Sequence, residues 1–282
     1  MPWKLYIDSR KRVKGARGDT DSSFSVALPY PISVSGKAYV DVCLLGNTFN
    51  TIRTGDNDRI YMDEGVAQLP RIIQLPAGQY SVFTLRDAMT VALNSNTKTI
   101  TGTYQVTYVS STNRYTIDIL NAVATDEFRI WPQLALRDFW TGYWDTIATP
   151  ATQNDNLSAN QNIGLMGSTI LTGNQNTSVI CSGAPDMQGY KQLFLRSNIG
   201  GGSAESLGVN FESDIIRRIV VGDIPQNGMI VDAHSSLLDC VTINGKPEFN
   251  QIWFDLIDVD GKIVDTRGHP ISFSIIFQDM EE

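Results

Sequence analysis

Alternation of apolar and polar residues with a period of two runs through most of this chain, and that period marks strands half buried on one face. After Ser22, Phe24, Val26 and Leu28 alternate with Ser23, Ser25 and Ala27. Pro29 and Pro31 follow in "PYP", and prolines there suit a strand end or a sheet edge. In "KAYVDVCLLGNTF" Val40, Val42 and Leu44 point one way, and Tyr39, Asp41, Cys43 and Leu45 the other. "RIYMD" and "RIIQLPAGQY" predict two further strands, the second closed by Pro76 and Gly78. Towards the C-terminus "YKQLFLRSNI", "DIIRRIVVGD", "GMIVDAHSS" and "DCVTING" repeat the pattern. "FNQIWFDLIDVDGKIVD" reads as a strand and hairpin turning at Asp260-Gly261. "HPISFSIIFQD" sets Ile271, Phe273, Ile275 and Phe277 on one face of a last, well-covered strand.

The period changes once with conviction. In "TLRDAMTVALNSN" Leu85, Ala88, Met89, Ala92 and Leu93 fall on one helical face, with Thr84 as the expected N-cap and Asp87 three residues on. A hairpin follows: Tyr104, Val106 and Tyr108 alternate, "SSTN" turns, and Tyr115, Ile117 and Ile119 alternate back. The aromatic run of Phe128, Trp131, Phe139, Trp140, Tyr143 and Trp144 accommodates a short helix from Leu134 to Tyr143. Residues 145–178 are rich in Asn, Gln, Thr, Ser and Gly, which predicts a long surface loop, and deleting 150–175 is expected to leave the fold intact. About ten strands with few helices and uneven loops predict an all-β, antiparallel jelly-roll sandwich. The expected layout is a basic N-terminal arm over 1–22 and a jelly-roll domain over 23–282. That domain would carry a helix-and-hairpin insertion near 78–131 and the polar loop near 145–178. Phe24, Val40, Val42, Leu195, Phe254, Phe273 and Phe277 are the expected core.

Composition narrows the partners. Lys and Arg total 22 against 30 Asp and Glu, giving a net charge of -8, the reverse of a free-standing nucleic-acid binder. Only 18% of residues are charged, which leaves much of the surface to contacts with other proteins. Cys43, Cys181 and Cys240 are odd in number and far apart, so they read as reduced thiols rather than a disulfide framework or zinc site. No apolar stretch approaches the length of a membrane span, and the first residues lack the apolar core of a secretion signal.

No catalytic constellation emerges. His234 and His269 are distant from one another and from any metal-ligand spacing, which argues against a metal-dependent cupin. Ser203 lies in "GGGSAES" without the glycine on both sides of a nucleophile elbow. Three Gly-Lys pairs lack the rest of a phosphate loop. Asp258, Asp260 and Gly261 suggest a calcium loop but lack its distal Glu, and a hairpin explains them. The expectation is therefore no enzyme, no metal and no cofactor.

One charged run stands out. "SRKRVKGARGDTD" packs Arg10, Lys11, Arg12, Lys14 and Arg17 ahead of Asp19 and Asp21, and includes the tripeptide Arg17-Gly18-Asp19. A phosphate loop is excluded, because no Gly-Lys-Ser/Thr ends it. An adhesion tripeptide, a solvated or inter-subunit arm, and an arm neutralising nucleic-acid phosphates remain open.

The order of phrases adds a family. "LYIDSRKRVKG", then "SSFSVALPYPISVSGKAYVDVCLLGNTFNTI", "IQLPAGQYSVFTLRDAMTVALN" and "YQVTYVSSTNRYTIDIL" resemble the penton (minor capsid) proteins of virophages, polintons and polinton-like viruses. "ALRDFWTGY", "YKQLFLRSNI", "IIRRIVVGDIP" and the final two strands also fit, so the resemblance spans nearly the whole chain; the loop at 145–178 departs from it. The resemblance implies a jelly-roll capsid protein, forming homopentamers at the five-fold vertices of an icosahedral virion assembled in an infected host cell. Its implied partners are copies of itself, a double-jelly-roll major capsid protein, other minor capsid proteins, a spike, and packaged DNA through the N-terminal arm. A lectin-like or receptor-binding β-sandwich of a spike or fibre is the alternative, and it predicts a ligand pocket in a monomer or trimer.

Overall fold

The computed structural model describes residues 3–15, 18–33, 36–65, 67–95, 97–139, 157–200, 214–222, 224–233, 240–243 and 248–278. The chain forms two compact units, one of residues 1–49 and 190–282, the other of 50–189. It begins with β1 (Trp3–Asp8), β2 (Ser23–Ser33) and β3 (Gly36–Gly46). The second unit contains β4 (Arg59–Glu64), β5 (Leu69–Gln74), α1 (Val82–Leu93), β6 (Thr103–Val109), β7 (Arg114–Leu120) and β8 (Glu127–Ile130). It continues with α2 (Gln133–Phe139), α3 (Asn160–Ile163), β9 (Leu171–Asn174) and β10 (Val179–Ile180). The first unit resumes with β11 (Gln192–Ser197), β12 (Ile215–Val220), β13 (Met229–Asp232), β14 (Val241–Ile243), β15 (Glu248–Ile257) and β16 (Ser272–Gln278).

The first unit is an antiparallel jelly roll. One sheet runs β1-β16-β3-β13 with β14 also on β3, and the other runs β12-β11-β15-β2. Successive chain segments cross from sheet to sheet and the last strand returns beside the first, the double Greek key of that fold. Phe24, Leu193, Leu195, Phe254 and Leu256 of one sheet meet Val40, Phe273, Ile275 and Phe277 of the other in a single buried cluster. Phe254 packs edge-on against Phe273 at 4.9 Å, and Trp3 stacks on Phe277 at 4.2 Å. At the core's margin Arg217 of β12 and Asp232 of β13 join the two sheets through two hydrogen bonds of 2.7 and 2.8 Å.

Two expectations about this unit change. Residues 3–8 are no arm: Trp3, Leu5 and Ile7 face inward and β1 pairs along its length with β16. Val42 is not core. The β16 register shifts so that Ser274 faces Val42 while Ile275 faces Val40, leaving Asp41 as an extra residue. Such a bulge swaps the faces of everything beyond it, so Cys43 and Leu45 become the buried pair and Val42 and Leu44 turn outward. The prolines of "PYP" behave as the pattern implies. Pro29 and Pro31 lie on the edge strand β2, where its ladder with β15 is interrupted between Ala27 and Ile32.

The second unit holds a three-stranded sheet β10-β7-β6 and a four-stranded sheet β5-β4-β8-β9 around its own cluster. Leu85, Met89 and Leu93 of α1 are fully buried there with Tyr104, Val106, Tyr115 and Ile117 of the hairpin. The helix starts one turn before the expected Thr84. Ser81 is the N-cap and Thr84 completes the reciprocal pair, its hydroxyl accepting from the Ser81 backbone N–H. The unit extends well beyond the expected insertion at 78–131, taking in β4, β5 and the chain to 189.

The expected loop at 145–178 also differs. Residues 145–156 lie outside the described residues, but Leu157, Ala159, Ile163 and Leu165 are buried. Asn160 and Asn162 are buried too, and each satisfies backbone carbonyls: Asn160 donates to Trp131 O at 2.8 Å and Asn162 to Asp186 O at 2.9 Å. Removing 150–175 would open this core.

Candidate functional site

The charged run follows β1 and forms the β1–β2 connection. Its first residue, Ser9, is fully buried and exchanges backbone and side-chain hydrogen bonds with Ile271, the residue just before β16. The Ser9 hydroxyl donates to Asp21 at 2.8 Å, and Arg12 donates to Asp21 at 3.0 Å and to Asp19 at 3.1 Å. Val13 N–H bonds Ser25 O, anchoring the middle of the loop to β2. Arg10 turns back on Asp8 through two side-chain bonds of 2.9 and 2.5 Å. The Arg10 side chain holds the Asp8 carboxyl below its ordinary pKa. Asp19 is lowered by the Gly15 backbone N–H and then by Arg12.

These contacts reassign the basic residues. Arg10 and Arg12 are spent on carboxylates within the loop, and among the described residues Lys11 and Lys14 carry no ion pair. In the tripeptide, Arg17 lies outside the described residues. Gly18 has φ +76°, and a Cβ there would lie 2.1 Å from the Ser23 hydroxyl oxygen, so glycine is required by the turn. Both Asp19 oxygens are used inside the loop, one by Arg12 and one by Gly15 N–H at 3.2 Å. The local fold thus accounts for Gly18 and Asp19. It also places the tripeptide after the first strand, not before it.

Four connections meet at this end of the jelly roll. Ser9 reaches the β15–β16 connection at Ile271. Asn47, just past β3, bonds Ile224, Asn227 and Gly228 of the β12–β13 connection. Thr48 donates to Thr266 O at 3.0 Å, tying the end of β3 to the β15–β16 connection as well. The chain leaves for the second unit from this same end.

A second feature lies on the face of β1-β16-β3 opposite the core. Tyr6, Ser274 and Val42 share one register row and Asp8, Ser272 and Leu44 the next, while Ile7, Phe273 and Cys43 point inward between them. Serines on the central strand lie low between larger side chains on its neighbours, leaving a trough. With Lys4 and Lys11 at its margin and Val26 at the open side, it forms a cavity of about 400 Å³. Lys4 is held by Asp41 at 2.5 Å. Apolar surface continues across the sheet: Tyr6 is 77% exposed, Met229 60% and Val231 56%.

Among the described residues the other candidates serve turns. His269 is an exposed turn residue whose N–H bonds Thr266 O, and His234 and Ser203 lie outside the described residues. Asp258 accepts from the N–H groups of Asp260 and Lys262 at 3.0 and 2.9 Å, closing a hairpin turn rather than presenting a calcium loop. Among the described residues no three His, Cys, Asp or Glu side chains gather as a metal site. No helix among them is long and apolar enough to cross a membrane.

Comparison with solved structures returns the crystal structure of the SeMet-labelled mavirus penton protein. The match has a TM-score of 0.52 at 10% identity and covers 99% of this chain and 100% of that one. The two chains share a fold. No family model and no curated protein matches the sequence. At that identity the likeness speaks to architecture, and it includes the second unit as well as the jelly roll.

Sequence reasoning missed the trough and the role of β1. The signal was present in Trp3, Leu5 and Ile7 alternating with Lys4, Tyr6 and Asp8, but the charges after Asp8 drew the whole segment into one supposed arm.

Proposed function

We propose that this protein is a penton: a structural, non-enzymatic capsid protein forming homopentamers at the five-fold vertices of an icosahedral virion. The observation that carries the reading is end-to-end likeness to a penton protein, covering 99% of this chain, in a fold whose two sheets follow the jelly-roll order. A jelly roll suits this task because its strands fix a rigid wedge while its connections vary freely for contact with neighbours. On this reading its neighbours are further copies, a double-jelly-roll major capsid protein and other minor capsid proteins, assembled within an infected cell. The β1–β2 loop becomes an inter-subunit or inner contact, with Lys11 and Lys14 as its available cations. Native mass measurement and five-fold averaging of particle images test this. A mass of five times the 31.1 kDa chain is expected. A stable monomer or trimer overturns it in favour of a receptor-binding module.

A further inference from the structure

We propose that α1 guards the free edge of β6: the side chains of Asn94 and Thr90 occupy the backbone groups that a strand from a second copy of this chain would take, and so withhold this edge from association. The inference concerns a surface kept out of assembly and stands apart from the penton reading.

β6 ends the order β10-β7-β6, so among the described residues one of its sides faces no strand. Its seven residues, Thr103 to Val109, hold no proline, glycine or charge and are all β-branched or aromatic except Gln105. The ladder with β7 runs unbroken through all seven. A flat, uncharged edge of this composition is the kind that pairs with another chain. Edge strands are blunted by proline, by charge, by a bulge or by a covering element. β2 of the first unit uses Pro29, Pro31 and an interrupted ladder. β6 has none of these devices in its own residues, and its cover comes from α1.

The cover is a match of spacings. Thr90 and Asn94 lie one turn apart on one face of α1, about 6 Å along its axis. Tyr104 and Val106 lie two residues apart in β6, about 6.7 Å along the strand. Asn94 Nδ2 donates to Tyr104 O at 2.7 Å, and Asn94 Oδ1 accepts from Tyr104 N–H at 2.9 Å. A facing residue in an antiparallel ladder exchanges the same two bonds, and a side-chain amide carries the donor and acceptor needed to copy it. Asn94 Nδ2 also donates to Thr90 O at 2.8 Å, which fixes the amide. Thr90 Oγ1 donates to Arg86 O at 3.0 Å and accepts from Val106 N–H at 3.2 Å, so its lone pair is turned to the strand. Beyond Val106, Phe83 in the first turn of α1 packs edge-on against Tyr108 at 5.5 Å. The helix is held in place by the buried Leu85, Met89 and Leu93, which leaves the half-buried Thr90 and Asn94 to serve the edge.

The test uses the full chain with Asn94→Ala, with Thr90→Val, with both, and with both plus Gln105→Lys and Thr107→Lys on the exposed face of β6. Association is read by light scattering over a dilution series, and hydrogen exchange reports the β6 amides. Asn94→Ala should speed exchange at Tyr104, and Thr90→Val at Val106, each by roughly tenfold or more. The double variant, folded by circular dichroism, should form species larger than any of the wild type, with the Tyr104 and Val106 amides protected again within them. The two lysines set like charges against each other in such a pairing and should abolish those species. A folded double variant that associates as the wild type does overturns the guard. So do larger species in which β6 stays unprotected or on which the lysines have no effect. If the double variant unfolds, Thr90→Val decides alone, because it replaces only a hydroxyl by a methyl: unchanged Val106 exchange overturns the proposal, and faster exchange with larger species supports it. None of these outcomes depends on the subunit number of the wild type, so the penton reading is tested separately.

Discussion

The second unit depends on a buried ion pair whose removal should be measurable. Glu64 of β4 is fully buried and receives four donors. Arg71 Nη1 and Tyr104 Oη (2.8 Å) reach one oxygen, and the N–H and hydroxyl of Thr99 (2.7 and 3.0 Å) reach the other. Arg71 of β5, also buried, donates further to Thr97 and Ser95, at 3.0 and 2.9 Å, in the turn that ends α1. Together they pin the helix end and the β6 strand to the β4–β5 pair. Removing one member leaves the other charge buried and unmatched, at a cost of about 3–5 kcal/mol. Arg71→Met and Glu64→Leu should each fall in that range. The double variant should recover about 2 kcal/mol or more of their sum, because no lone charge remains, although Tyr104 and Thr99 still lose their acceptor. The assay is urea unfolding of the full chain together with hydrogen exchange at α1 and β6, which localises the loss to this unit. Single variants costing under about 1 kcal/mol, or strict additivity, would refute the argument that the pair acts as a coupled pin.

Three further outcomes follow from the described geometry. Asp21→Ala removes the shared acceptor of Ser9 and Arg12 and should destabilise the first unit by about 1–3 kcal/mol, whereas Lys11→Ala and Lys14→Ala should stay within about 0.5 kcal/mol. Asp8 and Asp19 have lowered pKa values, so what they contribute is present above about pH 4 and is lost as pH falls through their folded values; a fall in the protection of the loop amides, each measured against its intrinsic exchange rate at the same pH, checks this, and protection unchanged between neutral and acidic pH refutes it. Burial pushes the thiols of Cys43 and Cys181 up to about 12, so a thiol reagent at mildly alkaline pH should modify at most Cys240 in the native chain and all three after unfolding.

Much of the architecture is written in period and order. The inward rows of β2, β11, β15 and β16 follow directly from alternation, as does the buried face of α1. What alternation cannot report is a change of face within one strand. The bulge at Asp41 looks like ordinary sequence, yet it moves Val42 out and Cys43 in. Capping was misplaced by one turn because Thr84 has the chemistry of an N-cap but serves here as the residue that reaches back to Ser81. Composition misled most between 157 and 178. Asn160 and Asn162 belong to a residue type expected in solvent, but inside a unit with irregular backbone their amides satisfy carbonyls that no strand or helix would pair. Nor does a strand's own pattern say which sheet it joins, so β4 and β5 could not be assigned to the second unit from their residues alone.

The position of the second unit in the chain follows from how a sandwich tolerates insertion. Closing a longer connection costs little extra entropy for each doubling of its length, provided the inserted chain buries its own apolar surface and brings its ends together. Both conditions hold. The unit has its own cluster around Tyr104, Tyr115, Phe128 and the α1 face. Its two ends are tied to each other within it, by Thr51 donating to Met187 O at 3.1 Å and Arg53 to Gly189 O. On the jelly-roll side the flanking residues are tied as well, with Phe49 and Tyr190 meeting edge to face at 5.2 Å. The β3–β11 connection therefore leaves and re-enters the sandwich at neighbouring points, as a short turn would. The strand order around it can stay that of a plain jelly roll, while the connections at this end, including the stapled β1–β2 loop, are where the surface chemistry of the first unit can change without disturbing its core.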